Sequence, residues 1–379
     1  MLAGQTVTVN ATSSKGGMGS FTVTVEEDNY SSYRTEESTE GWFDPVSIDK
    51  IQNLRQDFPM GIDISTLYEV ESFGGKFYNQ NGVRQNVYQI LKNSGINYVR
   101  IRLWNDPYNT FIKNGETIRV SYGGGICDFD RVKSMARSAK IAGLKVLLDF
   151  HYSDFWAHPG QQVIPKAWKD LATPQDIADE LYDYTFNIIK ELDLAGAKPD
   201  MVQIGNEITS GMILQYHTAG NFIKSAIRGA YSGSSTNFIG YVRSGNNAVK
   251  DYDSKILTMI HLAKGMSGTD YIKDFYHLFD DVNYDVIGLS YYPYYHGSIS
   301  NLNNAVSMLS QEFSDKLITI VEISYGFTFA PHANANNIFF NTTQSGNARP
   351  VYGYEVSPQG QADLLRDSIN ALSDRKSVV

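Results

Sequence analysis

The chain has 379 residues, of which 42% are hydrophobic and 19% charged, enough for one large domain or a large domain with a small companion. A net charge of -9 and a pI near 5.3 argue against a general nucleic-acid binder, because phosphate contacts need a basic face. Cys127 is the only cysteine, which excludes a disulfide framework and a thiolate metal cluster, and no apolar run reaches the ~18–20 residues that span a bilayer.

The N-terminal residues predict a β-hairpin. In QTVTVNATSSKGGMGSFTVTVE, residues 5–26, two alternating Val/Thr runs flank a Ser/Gly-rich turn. Because an isolated hairpin is marginally stable, we interpret 1–27 as the β-rich remnant of a carbohydrate-binding module. A two-stranded extension packed on the main domain explains the pattern equally well. Residues 28–55, mostly polar and acidic, are expected to form a linker. No signal peptide is visible, and we expect the N-terminus to be truncated.

From residue 58 the pattern changes to apolar strands separated by amphipathic helices. Thr173 before Pro174 and Ser357 before Pro358 are typical helix starts, and Gly95 is a typical helix end. The predicted strands are 60–65, 97–104, 145–152, 201–207, 256–263, 285–292 and 317–324.

Strand–helix alternation with strands rich in Val, Ile and Leu indicates a parallel α/β sheet. Seven such units in residues 56–373 fit an eightfold (β/α)8 TIM barrel better than a doubly wound sheet, and no nucleotide-binding glycine motif is present. After the helix at 358–372 little chain is left, so we expect the last β/α unit to be missing. We interpret residues 374–379, DRKSVV, as a non-native tail.

Polar residues at the C-terminal ends of barrel strands converge on the active site. Glu207 and Glu322 each end an apolar strand, and glycoside hydrolysis needs one carboxyl group as proton donor and a second as nucleophile or base. Neighbouring arginine and tyrosine side chains would keep a nucleophile ionised. The other strand-end candidates are Asp63, Ser65, Arg100, Arg102, Trp104, Asp149, His151, Tyr152, Asn206, His261, Tyr291 and Tyr292.

Six stretches together make the barrel recognisable: GIDIS, YVRIRLWNDPY, GLKVLLDFHYSDFWAHPGQQVIPKAW, IGNEITSG, VIGLSYYPYYHG and IVEISYGFTF. From about residue 56 to 372 the chain resembles the endo-β-1,4-galactanases of glycoside hydrolase family 53, a retaining barrel family. The resemblance implies that Glu207 is the acid/base, that Glu322 is the nucleophile and that Asn206 bonds a sugar hydroxyl.

The same resemblance implies further substrate-binding residues. Arg102 and one of the pair Tyr291/Tyr292 are expected to contact the nucleophile, and His151 is expected to line the cleft. Among the aromatic residues Trp104, Trp156, Trp168, Tyr294 and Tyr295, about half are expected to pack loops and the rest to stack on sugar rings. Of these, Trp104 and Trp156 complete the predicted binding set.

Three departures from the family pattern qualify the resemblance. The family reads WADP where this chain has His158 in place of the acidic residue, and the role of His158 is left open. The loop FTFAPHANANNIFFN carries no carboxylate, so we predict no calcium there and no cofactor. The tryptophan motif of the eighth strand is absent.

Several residues have plain structural interpretations. One of Arg100 and Arg102 is expected to be a buried ion-pair partner of Asp63, and His261 is equally well explained as a satisfied interior residue. A metal site built from Asp149, His151, Asp154 and His158 is disfavoured. Asp149 and His151 lie in a barrel strand that must also supply inward-facing residues to the barrel interior, so no metal is predicted.

The predicted function is retaining hydrolysis of internal β-1,4-galactosidic bonds in galactan or arabinogalactan, such as pectin side chains. A polymeric substrate implies an extracellular or cell-surface protein, and we expect a monomer. The alternatives are another retaining barrel glycosidase such as a mannanase or cellulase, a non-catalytic sugar-binding protein, or a metal-dependent barrel hydrolase.

Overall fold

The computed structural model describes residues 7–14, 17–25, 46–52, 54–79, 81–122, 126–215, 226–231, 235–329, 351, 353–373 and 377–378, with backbone alone for 7–14, 17–25 and 377–378. Strands β1 (Val7–Ser14) and β2 (Gly17–Val25) pair antiparallel, which confirms the predicted hairpin. Its origin as a module remnant stays a prediction. Of the predicted linker, residues 28–45 lie outside the described residues.

The chain divides into two units, and the first contains Met60–Asn206 and Ser210–Thr258. Strands β3, β4, β7 and β8 pair in parallel in that order, while β5 with β6 and β9 with β10 pair antiparallel. The elements in chain order are β3 (Gly61–Asp63), α1 (Leu67–Ser72), α2 (Val87–Asn93), β4 (Tyr98–Leu103), β5 (Tyr108–Lys113), β6 (Glu116–Ser121), α3 (Phe129–Ile141), β7 (Lys145–Phe150), a 3-10 turn (Lys166–Trp168), α4 (Pro174–Leu194), β8 (Met201–Ile204), β9 (Gly211–Met212), β10 (Gly229–Ala230) and α5 (Thr236–Tyr252).

The second unit contains Glu207–Thr209 and Met259–Val379, preceded by a segment from before residue 60. Its strands are parallel in the order β11–β12–β13–β14. The elements in chain order are β11 (Leu257–Leu262), which the second unit includes from Met259 onward, α6 (Thr269–His277), β12 (Val286–Tyr291), α7 (Pro293–His296), α8 (Ile299–Glu312), β13 (Leu317–Ile323), α9 (Pro358–Ser373) and β14 (Ser377–Val378).

Local sequence explains why these elements form. Every position of β4 and β12 is buried, as expected for barrel strands covered by helices. At the start of α4 the Thr173 hydroxyl accepts from the Asp176 N–H at 3.1 Å, and the Asp176 carboxylate accepts from the Thr173 N–H at 3.0 Å. This capping box gives hydrogen-bond acceptors to two backbone N–H groups that have none within the helix. Pro174 has no backbone N–H and so needs no acceptor at this position.

Each unit shows the predicted alternation of parallel strands and helices. Ser377 and Val378, in the segment interpreted as a non-native tail, pair in parallel with Ile318 and Thr319, while the origin of that segment stays a prediction. The eighth strand position is therefore held by two residues. Among the described residues, no helix has the length and apolar character needed to cross a membrane.

Candidate active site

The two predicted catalytic glutamates lie close together in the second unit. Glu207 lies three residues after the end of β8 and Glu322 lies near the end of β13, and both side chains are half-buried. One carboxylate oxygen of each, together with one ring nitrogen of His261, lie within 4.8 Å of one another. This separation suits a retaining pair, since inverting pairs stand about 6.5–9.5 Å apart.

A β-bulge aims Glu322 at this site. Along β12 and β13, Leu289 pairs with Ile320, but the next pair is Ser290 with Glu322, so β13 holds one extra residue. Side chains alternate between the faces of a strand, and one extra residue reverses that alternation. Glu322 therefore faces the same side as Ser290 instead of sharing the side of Leu289 and Ile320.

The neighbour of Glu322 is Tyr292. Its hydroxyl donates to Glu322 Oε2 at 2.8 Å. Burial, and secondly the Glu322 carboxylate, raise the pKa of Tyr292, which keeps the phenol protonated as a donor. Tyr291 is fully buried and its hydroxyl donates to the Gly297 carbonyl at 3.1 Å. Of the pair Tyr291/Tyr292, from which one was expected to contact the nucleophile, the structure thus places Tyr292 at the carboxylate and Tyr291 in the core.

Glu207 is held by a closed set of hydrogen bonds, here called the Glu207 ring and made of Glu207, His261 and Ser290. The backbone N–H of Glu207 donates to His261 Nδ1 at 3.2 Å, His261 Nε2 lies 2.9 Å from Ser290 Oγ, and that hydroxyl donates to Glu207 Oε1 at 2.8 Å. Glu207 has a left-handed backbone, with φ of 48°. Such strain in a non-glycine residue is typical of functional sites.

Sequence reasoning left His261 open as an interior residue and did not select Ser290. His261 is indeed fully buried, but its partners make it part of the site. The signal for Ser290 was its position two residues before Tyr292, because residues two apart on a strand share a face.

Glu207, His261 and Glu322 also form a group with the spacing of a metal site. Both ring nitrogens of His261 already take part in hydrogen bonds, so a metal would have to displace one of them. This chemistry does not favour a metal, and its absence stays a prediction. For the predicted lack of calcium, most of the relevant loop, residues 330–341, lies outside the described residues.

A second polar cluster, in the first unit, surrounds Arg100. The buried guanidinium forms ion pairs with Asp149 at 2.8 Å and with Asp63 at 3.2 Å. Of the two arginines considered as partners of Asp63, Arg100 is therefore the nearer, while Arg102 lies 4.0 Å from the same carboxylate. Arg100 also donates to Asn206 Oδ1 at 2.8 Å. The Asn206 amide nitrogen donates to the Ala157 carbonyl at 2.9 Å, so this fully buried amide has one fixed orientation.

His151 and Trp104, both predicted to bind substrate, are interior residues with 1% exposure each. His151 Nε2 lies 3.0 Å from Asp149 Oδ2, and its Nδ1 accepts from the Trp104 indole at 3.2 Å and from the Ala157 N–H at 2.9 Å. The expectation that His151 lines the cleft is therefore corrected: the imidazole has both nitrogens engaged inside the protein.

Arg102 and Trp156 form a stacked pair in the first unit. The Arg102 guanidinium lies 4.3 Å from the centroid of the Trp156 ring, and Trp156 is 38% exposed. Trp156 is thus the most exposed ring of the predicted binding set. The predicted contact of Arg102 with the nucleophile stays a prediction. His158 Nδ1 accepts from the Gly160 N–H at 3.2 Å, and partial burial lowers the pKa of His158.

Parallel strands alternating with helices, with a close glutamate pair at the strand ends, define a (β/α)-barrel glycosidase. The model of glycosyl hydrolase family 53 matches residues 59–378, and the chain belongs to that family. It is 33% identical to the endo-β-1,4-galactanase of Bacillus subtilis (strain 168), covering 86% of this chain and 69% of the relative.

Two further comparisons agree. The chain is 33% identical to the arabinogalactan endo-β-1,4-galactanase of Cellvibrio japonicus (strain Ueda107), over 81% of this chain and 75% of the relative. The solved catalytic domain of an Ignisphaera aggregans family 53 protein aligns with a TM-score of 0.75 and 37% identity, covering 87% of this chain and 84% of that one. These matches confirm the fold class.

Proposed function

We propose that this glycosidase hydrolyses internal β-1,4-galactosidic bonds of galactan, such as the side chains of pectin, with retention of configuration. The names of the relatives support the substrate. The observation that carries the retaining mechanism is the approach of Glu207 and Glu322 oxygens within 4.8 Å. Since a galactan polymer does not cross a membrane unaided, we place the reaction outside the cell or at its surface, with a monomeric protein.

The proposed reaction has two steps. In the first, Glu322 attacks the anomeric carbon and Glu207 protonates the leaving glycosidic oxygen, which yields a glycosyl-enzyme. In the second, Glu207 removes a proton from water, the water attacks the same carbon, and Glu322 leaves as a carboxylate. Because Tyr292 binds Oε2 of Glu322, we assign the attack to Oε1.

Azide rescue tests both roles at once. Small anions replace a missing carboxylate, and the face from which azide attacks reveals which one is missing. With Glu322→Ala, azide is expected to restore turnover of an aryl β-galactoside and to yield the α-galactosyl azide. With Glu207→Ala, azide intercepts the glycosyl-enzyme and yields the β-azide. The same anomer of galactosyl azide from both variants would contradict the assignment of the two roles.

The substrate is tested separately with wild-type protein. Reducing ends released from galactan, mannan and cellulose are compared, and the expected outcome is release from galactan with oligosaccharide products of several lengths. Release from mannan or cellulose with none from galactan would overturn the substrate while leaving the mechanism in place. Binding of galactan without any release would instead indicate a sugar-binding protein.

A further inference from the structure

The Glu207 ring starts and ends at one residue, and its donors can be assigned. A backbone N–H can only donate, so His261 Nδ1 accepts from Glu207 and the ring hydrogen of the neutral imidazole lies on Nε2. His261 Nε2–H therefore donates to Ser290 Oγ at 2.9 Å. The Ser290 hydroxyl hydrogen is then committed to Glu207 Oε1, 2.8 Å away.

This order of donors makes the two carboxylate oxygens of Glu207 unequal. Oε1 accepts from a hydroxyl whose hydrogen cannot point back at His261, because that side of Ser290 Oγ already accepts the His261 N–H. His261 and Ser290 are both fully buried, so water does not readily replace either bond. A proton added to Glu207 consequently goes to Oε2, while the bond at Oε1 favours the ionised form.

We propose that His261 and Ser290 are positioning residues that direct the catalytic proton to Oε2 of Glu207 and stabilise the ionised Glu207 needed to activate water. The proposal rests on the acid/base role proposed above. The left-handed backbone of Glu207 contributes by pointing its N–H at the imidazole that in turn orients its own side chain.

Among the described residues of the second unit, the ionisable groups that face Glu207 include His261, Glu322 on β13 and Tyr292, which directly follows β12. Burial raises the pKa of Tyr292, and burial lowers the pKa of His296, whose Nδ1 accepts from the Tyr292 N–H. Both are therefore neutral near pH 7, and the carboxylate pair carries the charge.

The test removes one hydroxyl. Ser290→Ala deletes the donor to Oε1, and Ser290→Thr keeps a hydroxyl at the same position. Ser368→Ala is the matched control, since Ser368 is also a buried serine of the second unit and donates to the Leu364 carbonyl at 2.8 Å within α9. Thermal unfolding of each variant verifies that the proteins are folded.

The first readout is the pH profile of kcat/KM on galactan, whose alkaline limb reports the acid of the free enzyme. Loss of a hydrogen bond to the ionised form is expected to move this limb upward by roughly one to two pH units in Ser290→Ala. Ser290→Thr should return it toward the wild-type position, and Ser368→Ala should leave it unchanged. A wild-type alkaline limb in Ser290→Ala would overturn the proposal.

The second readout does not need turnover. The carboxyl carbon of Glu207 is followed by NMR in protein labelled with ¹³C-glutamate, and its signal is assigned by its loss in Glu207→Gln. The titration midpoint is expected to be higher in Ser290→Ala than in wild type. If wild-type protein proves inactive on galactan but this shift is present, the proposed function is refuted while the proposed role of the Glu207 ring is supported. Equal midpoints would reject the ring even in an active enzyme.

Discussion

Replacing Tyr292 by phenylalanine removes a single hydrogen bond to the proposed nucleophile. Its hydroxyl lies 2.8 Å from Glu322 Oε2, and the raised pKa of the phenol keeps the hydrogen in place at working pH. When the glycosyl-enzyme breaks down, negative charge returns to Glu322. A fixed donor at Oε2 stabilises that charge as it develops, so the second step should suffer most.

A hydrogen bond to a charged group contributes about 1.5–3 kcal/mol. If all of it is regained in the transition state of the second step, kcat in Tyr292→Phe falls about ten- to 150-fold, and partial charge development gives values toward the lower end. Because a slower second step lets the glycosyl-enzyme accumulate, KM should fall together with kcat.

The assay combines kcat and KM on galactan with intact-mass spectrometry of acid-quenched protein, where the accumulated intermediate appears as an added glycosyl mass. Tyr291→Phe is the matched control, since the neighbouring hydroxyl is also buried but donates to the Gly297 carbonyl. It should lose similar stability and keep kcat within about threefold of wild type. Equal kcat values in the two variants would refute the reasoning.

Three further outcomes are expected. Arg100→Met should lower the free energy of unfolding by about 3–5 kcal/mol in denaturant titrations, because buried Asp149 loses its cation, and adding Asp149→Asn should recover part of it. The Asp280 carboxylate and then Glu312 raise the pKa of His277, so protonated His277 stabilises the fold. The decrease in melting temperature caused by His277→Asn should therefore be largest below about pH 6.5 and should vanish as pH rises through the raised pKa. Trp156→Ala should raise KM on galactan more than it lowers kcat, because Trp156 is exposed for stacking.

Most barrel strands were predictable from sequence because they are buried on both faces and read as apolar runs with clear ends. The glutamate pair followed from the same logic, since strand ends of a barrel converge. The β5–β6 hairpin was missed although its signal was present. Asn114 and Gly115, with φ of 55° and 81°, form the Asn-Gly turn that alternating residues on both sides require.

The facing of individual side chains was harder to predict. Strict alternation along LITIVEI puts Glu322 on the side of Ile318 and Ile320, and only the bulge opposite Ser290 reverses it. A bulge depends on the neighbouring strand, which a single strand's sequence does not contain. His151 and Trp104 were expected to bind substrate because of the family resemblance and their position at strand ends. The structure keeps them inside, since His151 is held by Asp149 and Ala157 and the Trp104 indole donates to His151.

One strand end holds both members of the carboxylate pair. Ser290 donates to Glu207 and Tyr292 donates to Glu322, and these two residues are spaced by roughly 6.6 Å along an extended backbone. The end of β12 therefore acts as a common support that fixes one oxygen of each glutamate. Since the two bonds point to different carboxylates, proton delivery and nucleophile stabilisation are controlled by separate side chains, although a shift in the register of β12 would disturb both.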